Sequence, residues 1–228
     1  MGKLIKCHFY YLMNKLTIAI FVISIIGIML FALINVLSLD ERMDIASFIE
    51  YYYSSLFEIC KIIGNIIVVL LFGYSFSSLS DGYHAITITK QNPRSKYLIS
   101  KLILLFSIFT FLYLLTITTV VVISLVFKII LSPEMLVSFF NLYIILIYYG
   151  LLSTLLMMAV DNIYIVFVLV PLSFINYEKN LYFLTFLMPI EDKTKIARTL
   201  ILPLWYYLIF IIATALAIII IWSKKDLS

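Results

Sequence analysis

The stretch from Lys101 to Lys128, KLILLFSIFTFLYLLTITTVVVISLVFK, decides the fold class of this chain, because the 26 residues between the two lysines carry no charge. A helix rises about 1.5 Å per residue, so this stretch exceeds the roughly 20 residues that cross a hydrocarbon core about 30 Å thick. Lipid offers no partners to backbone N–H and C=O groups, and the stretch lacks the alternating pattern of a barrel strand. It therefore predicts a transmembrane helix.

Five further uncharged runs of similar character predict an all-α membrane protein with six transmembrane helices. The predicted spans cover residues 16–39, 59–80, 101–127, 136–160, 162–178 and 200–223. The composition fits this class, since 64% of the residues are hydrophobic and 12% are charged. The segments between spans are shorter than the roughly 40 residues that an independent core usually needs. We therefore expect one transmembrane domain over residues 1–228.

Two segments outside the spans also have a predicted structure. Residues 3–15 place Ile5, Phe9 and Leu12 on one helical stripe, apart from the lysines, which is typical of an amphipathic elbow helix in the membrane interface. Residues 179–198 contain an apolar stretch too short to cross and then a charged one, and they predict a helix or re-entrant turn on the outer face.

The distribution of Lys and Arg predicts that both termini lie in the cytoplasm. With that orientation nine basic residues lie inside and seven outside. The bias is small, but Lys3, Lys6 and Lys15 precede the first span, where the positive-inside rule weighs most. The same orientation places residues 81–100 in the cytoplasm as a hairpin.

This hairpin begins with the sequence DGYHAITITKQNPRSK over residues 81–96. Tyr83 and Ile86 fall on one side of a short helix, which Asn92-Pro93 then breaks. The pattern predicts an amphipathic helix in a basic loop. From composition alone, a loop that merely holds basic residues in the cytoplasm is equally compatible with it.

In order and spacing, these features resemble the membrane subunits of type 2 ATP-binding-cassette (ABC-2) exporters over the whole chain. The resemblance rests on the elbow, the six spans, and the stretch from Asp81-Gly82 through Pro93-Arg94 to Lys101. Two features depart from the family pattern: Asp81 stands where Glu is commoner, and Pro171 interrupts the short fifth span. Within the family, the chain is similar to subunits from low-GC Gram-positive bacteria that export membrane-active peptides, such as phenol-soluble modulins, or confer bacteriocin immunity.

The resemblance implies that the hairpin is a coupling helix that docks in a cleft of a cytoplasmic ABC ATPase. The implied ATPase-coupling residues are Asp81, Gly82, Tyr83, Ile86, Pro93, Arg94 and Lys101. It also implies a second permease copy or a sister permease in the bacterial cell membrane, with the second and fifth spans lining the path. The candidate path residues are Asn65, Gly73, Ser77, Tyr164, Phe167 and Phe174. Such a lining suits an amphipathic peptide or a lipophilic compound, although glycine and serine equally allow close helix packing.

The chain is not expected to be an enzyme by itself. Its six glycines never form G-x-x-x-x-G-K-[ST], so ATP and Mg are expected on the partner subunit, and this chain is predicted to hold no cofactor, no metal and no nucleic acid. A lipid-modifying transferase is one alternative, because Asp81-Gly82-x-x-Ala85 resembles the start of a phosphatidyltransferase signature, but Ile86 replaces its Arg. A passive channel or scaffold is the other. Both histidines, His8 and His84, lack an H-E-x-x-H setting and are interpreted as interfacial or loop residues.

Overall fold

The structure is a computed structural model that describes residues 2–37, 45–77, 94–130, 133–160, 162, 164, 166, 168–169 and 201–224. Within these ranges all long elements are helices. They are α1 (Gly2–Leu12), α2 (Lys15–Leu37), α3 (Ile45–Ser75), α4 (Arg94–Val126), α5 (Pro133–Val160) and α6 (Ile201–Lys224). Four apolar stretches, Thr17–Leu37, Phe48–Ser75, Ser95–Val126 and Met135–Val160, are long enough to cross a membrane. The all-helical class is therefore confirmed for the described residues, and the four long apolar helices indicate a membrane protein.

Two helices begin seven or more residues before the predicted spans. Helix α3 begins at Ile45 rather than at residue 59, and α4 begins at Arg94 rather than at residue 101. Spans were delimited from charge to charge, but a charged residue ends an apolar run without ending a helix, so Glu50 and Lys96 lie within regular turns. Most of the predicted span 162–178 and all of the segment 179–198 lie outside the described residues.

Helix α1 is followed directly by the first long apolar helix. Asn14 caps α2, because its Oδ1 accepts hydrogen bonds from Thr17 N at 2.8 Å and from Thr17 Oγ1 at 3.0 Å. Helix α1 packs on α4 and buries His8 together with two leucines, whereas Phe9 of the predicted stripe is 43% exposed. The predicted apolar stripe is therefore divided, because Leu12 is buried against the protein and Phe9 is not.

Helices α3 and α5 pack closely against each other, and glycines lie at their contact. A Cβ at Gly64 would lie 2.7 Å from Leu146 Cδ1, and one at Gly150 would lie 3.1 Å from Phe72 ring atoms. We call this contact the glycine interface. The contacting residues occur in the same order along both helices, because Gly64 faces Leu146 and the later Gly73 faces the later Ser153. The two helices therefore run parallel, and α4 between them has to run back in the opposite direction.

The end of α4 has an unusual backbone conformation. Lys128 has a φ of 56°, in the left-handed region that a helix commonly adopts just beyond its last turn. Its N–H donates to Leu125 O at 3.1 Å, and Ile129 N donates to Ser124 O at 2.8 Å. These bonds satisfy two carbonyls that the end of the helix would leave open.

Candidate functional site

Four helices meet where α3 ends and α4 begins. The residues that meet there are His8 of α1, Ser75 of α3, Phe76 just after it, Tyr97, Ser100 and Lys101 of α4, and Trp222 of α6. We call this group the polar junction. All seven side chains are buried, so the junction is part of the protein interior rather than of its surface.

Lys101 lies at the centre of the polar junction with 0% of its surface exposed. Its Nζ donates a hydrogen bond to the carbonyl oxygen of Ser75, the last residue of α3, and lies 3.5 Å from the Tyr97 hydroxyl. The ammonium also lies 4.6 Å from the centroid of the Phe76 ring. A cation at a helix C-terminus satisfies open carbonyls and interacts favourably with the helix dipole. Lys101 therefore ties the start of α4 to the end of α3.

His8 ties α1 to the same place. Its Nε2 lies 3.2 Å from Ser100 Oγ, and the same hydroxyl lies 2.8 Å from Tyr97 O. The imidazole meets the Tyr97 ring edge-on at 4.7 Å. Burial, and after it the positive charge of Lys101, lowers the pKa of His8 from 6.5 to about 4. At neutral pH His8 is therefore a neutral imidazole.

Aromatic rings connect α6 to this group. The Trp222 ring is stacked on the Tyr97 ring with centroids 5.8 Å apart and an angle of 6° between the planes. Phe76 meets Trp222 edge-on at 5.9 Å. Such pairs contribute about 0.5–1.5 kcal/mol beyond the area that they bury. The last turn of α6 is thus held against the helix ends on either side of residues 78–93.

The predicted coupling residues divide into two sets. Asp81, Gly82, Tyr83, Ile86 and Pro93 lie outside the described residues. Arg94 is the first residue of α4, and Lys101 is buried two turns further on. The Lys101 ammonium is not on the surface and lies between the ends of two helices.

The predicted path residues are not gathered into one cavity among the described residues. Asn65 and Ser77 are buried in the bundle and lie about 18 Å apart along α3 by helical rise. Gly73 is packed against Val166 and Ser153, as the close-packing interpretation predicts. Tyr164, in contrast, is 79% exposed. The other two, Phe167 and Phe174, lie outside the described residues.

Comparison with protein-family models, curated proteins and solved structures finds nothing that matches this chain.

Of the polar junction, sequence reasoning gave a site role only to Lys101, and the members that it missed include His8, Tyr97 and Trp222. For His8 a signal existed, because Leu4, His8 and Leu12 recur every four residues and all three are buried. For Tyr97 and Trp222 the chain offers no comparable signal, since more than 120 residues separate them and only the packing of α4 on α6 brings them together.

Proposed function

We propose that this chain is the membrane-spanning permease subunit of an ABC-2 exporter, energised by a separate cytoplasmic ATPase. Its cargo is an amphipathic membrane-active peptide or a lipophilic compound, exported from a Gram-positive bacterial cell. The polar junction is the observation that carries this proposal. It fixes both flanks of residues 78–93 to α1, α3, α4 and α6. A docking segment can move helices only if its two ends are firmly attached to them.

The proposed orientation places both termini and residues 81–100 in the cytoplasm. Two contacts support a shared side, because His8 of α1 and Trp222 of α6 both contact Tyr97. Single cysteines at Ser95 and Ser47, in a background without Cys7 and Cys60, report the orientation through an impermeant thiol reagent on intact cells. We expect labelling at position 47 only. Labelling at position 95 only would show the opposite orientation.

The ATPase partner is tested by charging the apolar side of the predicted coupling helix. Replacing Tyr83 and Ile86 with Asp should release the ATPase during purification, because a buried contact surface then carries unpaired charge. Ser223→Asp is the control, since it adds one negative charge at an exposed position of α6, away from the predicted coupling helix. Equal co-purification from both variants, with coupled ATP hydrolysis intact, would contradict the proposal.

The cargo class is tested with the subunit and its ATPase together in liposomes. An amphipathic helical peptide should stimulate ATP hydrolysis, and a scrambled peptide of equal composition should not. The physical reason is that an amphipathic helix partitions into the interface through its apolar face, which a greasy and adaptable path can accept. Stimulation by hydrophobic compounds alone would contradict the peptide cargo and would still agree with the exporter proposal.

A further inference from the structure

A cavity of about 180 Å³ lies between the connection of α1 to α2 and the end of α3, away from the polar junction. Its walls come from the end of α1, the first turns of α2 and the last turns of α3. The lining residues are Leu12, Asn14, Thr17, Ile20, Phe21, Ile67, Leu70, Leu71 and Tyr74. None of them belongs to the sites discussed above, so the cavity requires its own explanation.

The polarity of the cavity changes along its length. At one end lie the polar side chains of Asn14, Thr17 and Tyr74, and seven residues away along α2 and α3 lie Phe21 and Ile67. Seven helical residues correspond to about 10 Å. The polar end lies at the junction of α1 with the first long apolar helix, which is the level of the membrane interface. The apolar end therefore lies within the hydrocarbon layer.

The dimensions and this gradient select the occupant. Cavities of about 150 Å³ lined by Leu, Ile and Phe stay dry and accept small apolar molecules, which argues against water at the deep end. A cavity of about 180 Å³ accepts a segment of one hydrocarbon chain, whose remainder extends into the bilayer, and a polar head group matches the polar end.

We propose that this cavity is a phospholipid site, in which one acyl chain of the leaflet beside α1 fills the apolar end. The head group then lies at the polar end. There the Tyr74 hydroxyl and the Asn14 amide nitrogen can donate hydrogen bonds to its ester or phosphate oxygens, since Asn14 uses its Oδ1 to cap α2. Tyr74 is 39% exposed, so its hydroxyl can reach a lipid at the mouth. The site does not depend on the exporter proposal, because it needs neither an ATPase nor a cargo.

The test is a titration of the delipidated full-length protein in detergent with dipalmitoyl phosphatidylglycerol, followed by native mass spectrometry. For the wild type we expect one first adduct that binds at least about tenfold more tightly than later ones. Leu70→Trp should fill the cavity and reduce the first adduct to the affinity of the others. Ile23→Trp is the matched control and should change nothing, because Ile23 is 68% exposed on the outer side of α2.

A second variant covers the case in which Leu70→Trp fails to fold. Tyr74→Phe removes only a hydroxyl from a partly exposed side chain, and it should weaken the first adduct about fivefold. Adducts of uniform affinity in the wild type would overturn the lipid site, as would a first adduct that neither variant weakens. Displacement of that first lipid by an amphipathic helical peptide, in the wild type but not in Leu70→Trp, would assign the cavity to a peptide instead.

Discussion

The glycine interface and the polar junction are both buried, but they hold helices together by different means. In the glycine interface, Gly64 and Gly150 let side chains of the facing helix pack against the glycine backbone. In the polar junction, a charged ammonium, an imidazole and a hydroxyl connect helix ends at specific atoms. Close packing depends on shape and hardly on pH, whereas the junction depends on charge and hydrogen bonds. Of the two regions, the junction is therefore the one whose packing responds to a change in protonation.

The largest expected effect is at the centre of the junction. Lys101→Met keeps the length of the side chain but leaves the Ser75 carbonyl without its donor and removes the contact with the Phe76 ring. We expect a loss of about 3 kcal/mol in the free energy of unfolding, measured by SDS titration in mixed micelles. Lys15→Met, at an exposed position of α2, should change it by less than about 0.5 kcal/mol. Equal values for the two variants would show that the junction does not stabilise the bundle.

The glycine interface should respond next most strongly. Gly150→Val places carbons in space occupied by Phe72 and Val68, and overpacking of this kind costs about 1–3 kcal/mol. At Gly27 a Cβ would meet no atom of another described helix within 4 Å. The same change there should alter the free energy of unfolding by less than about 0.5 kcal/mol. The same SDS titration compares them, and a Gly150→Val protein as stable as the Gly27→Val protein would mean that the interface is looser than described.

A pH series separates the two regions. Because the pKa of His8 is lowered to about 4, the unfolded chain binds more protons than the folded protein between pH 6.5 and pH 4. Stability should therefore fall as the pH is lowered through this window, by up to about 1.4 kcal/mol per pH unit, and should be unaffected by His8 above it. Subtracting the His8→Gln profile from that of the wild type, both from thermal unfolding in detergent, isolates this slope. Identical profiles would show that His8 is not held neutral.

The smallest effect is expected at the far end of α4, outside both regions. Lys128→Gly puts the residue best suited to a φ of 56° at that position, and it should stabilise the protein by up to about 1 kcal/mol. Thermal unfolding with Lys128→Ala as the control distinguishes backbone strain from loss of the charge. A gain shared by the alanine variant would assign the effect to the charge.

The sequence predicted the helical class and the four long apolar helices, but not the contacts between helices. The uncharged run after Lys101 predicted α4 because hydrocarbon imposes length and composition on a single segment, independently of its neighbours. The same reasoning placed Lys101 at the head of a span, whereas α4 begins seven residues earlier, at Arg94. The burial of Lys101 depends on where α3 ends, and that of His8 on how α1 packs. Apart from the four-residue spacing of His8 with Leu4 and Leu12, such long-range contacts leave little trace in local periodicity.

The parallel arrangement of α3 and α5 also has a consequence in time. Leu146, the partner of Gly64, lies 82 residues later in the chain. A ribosome adding about 5–20 residues per second needs roughly 4 to 16 seconds to make those residues. During biosynthesis α3 must therefore wait in the membrane, with the groove around Gly64 open to lipid or to the insertion machinery, until α4 has crossed back and α5 arrives to fill it.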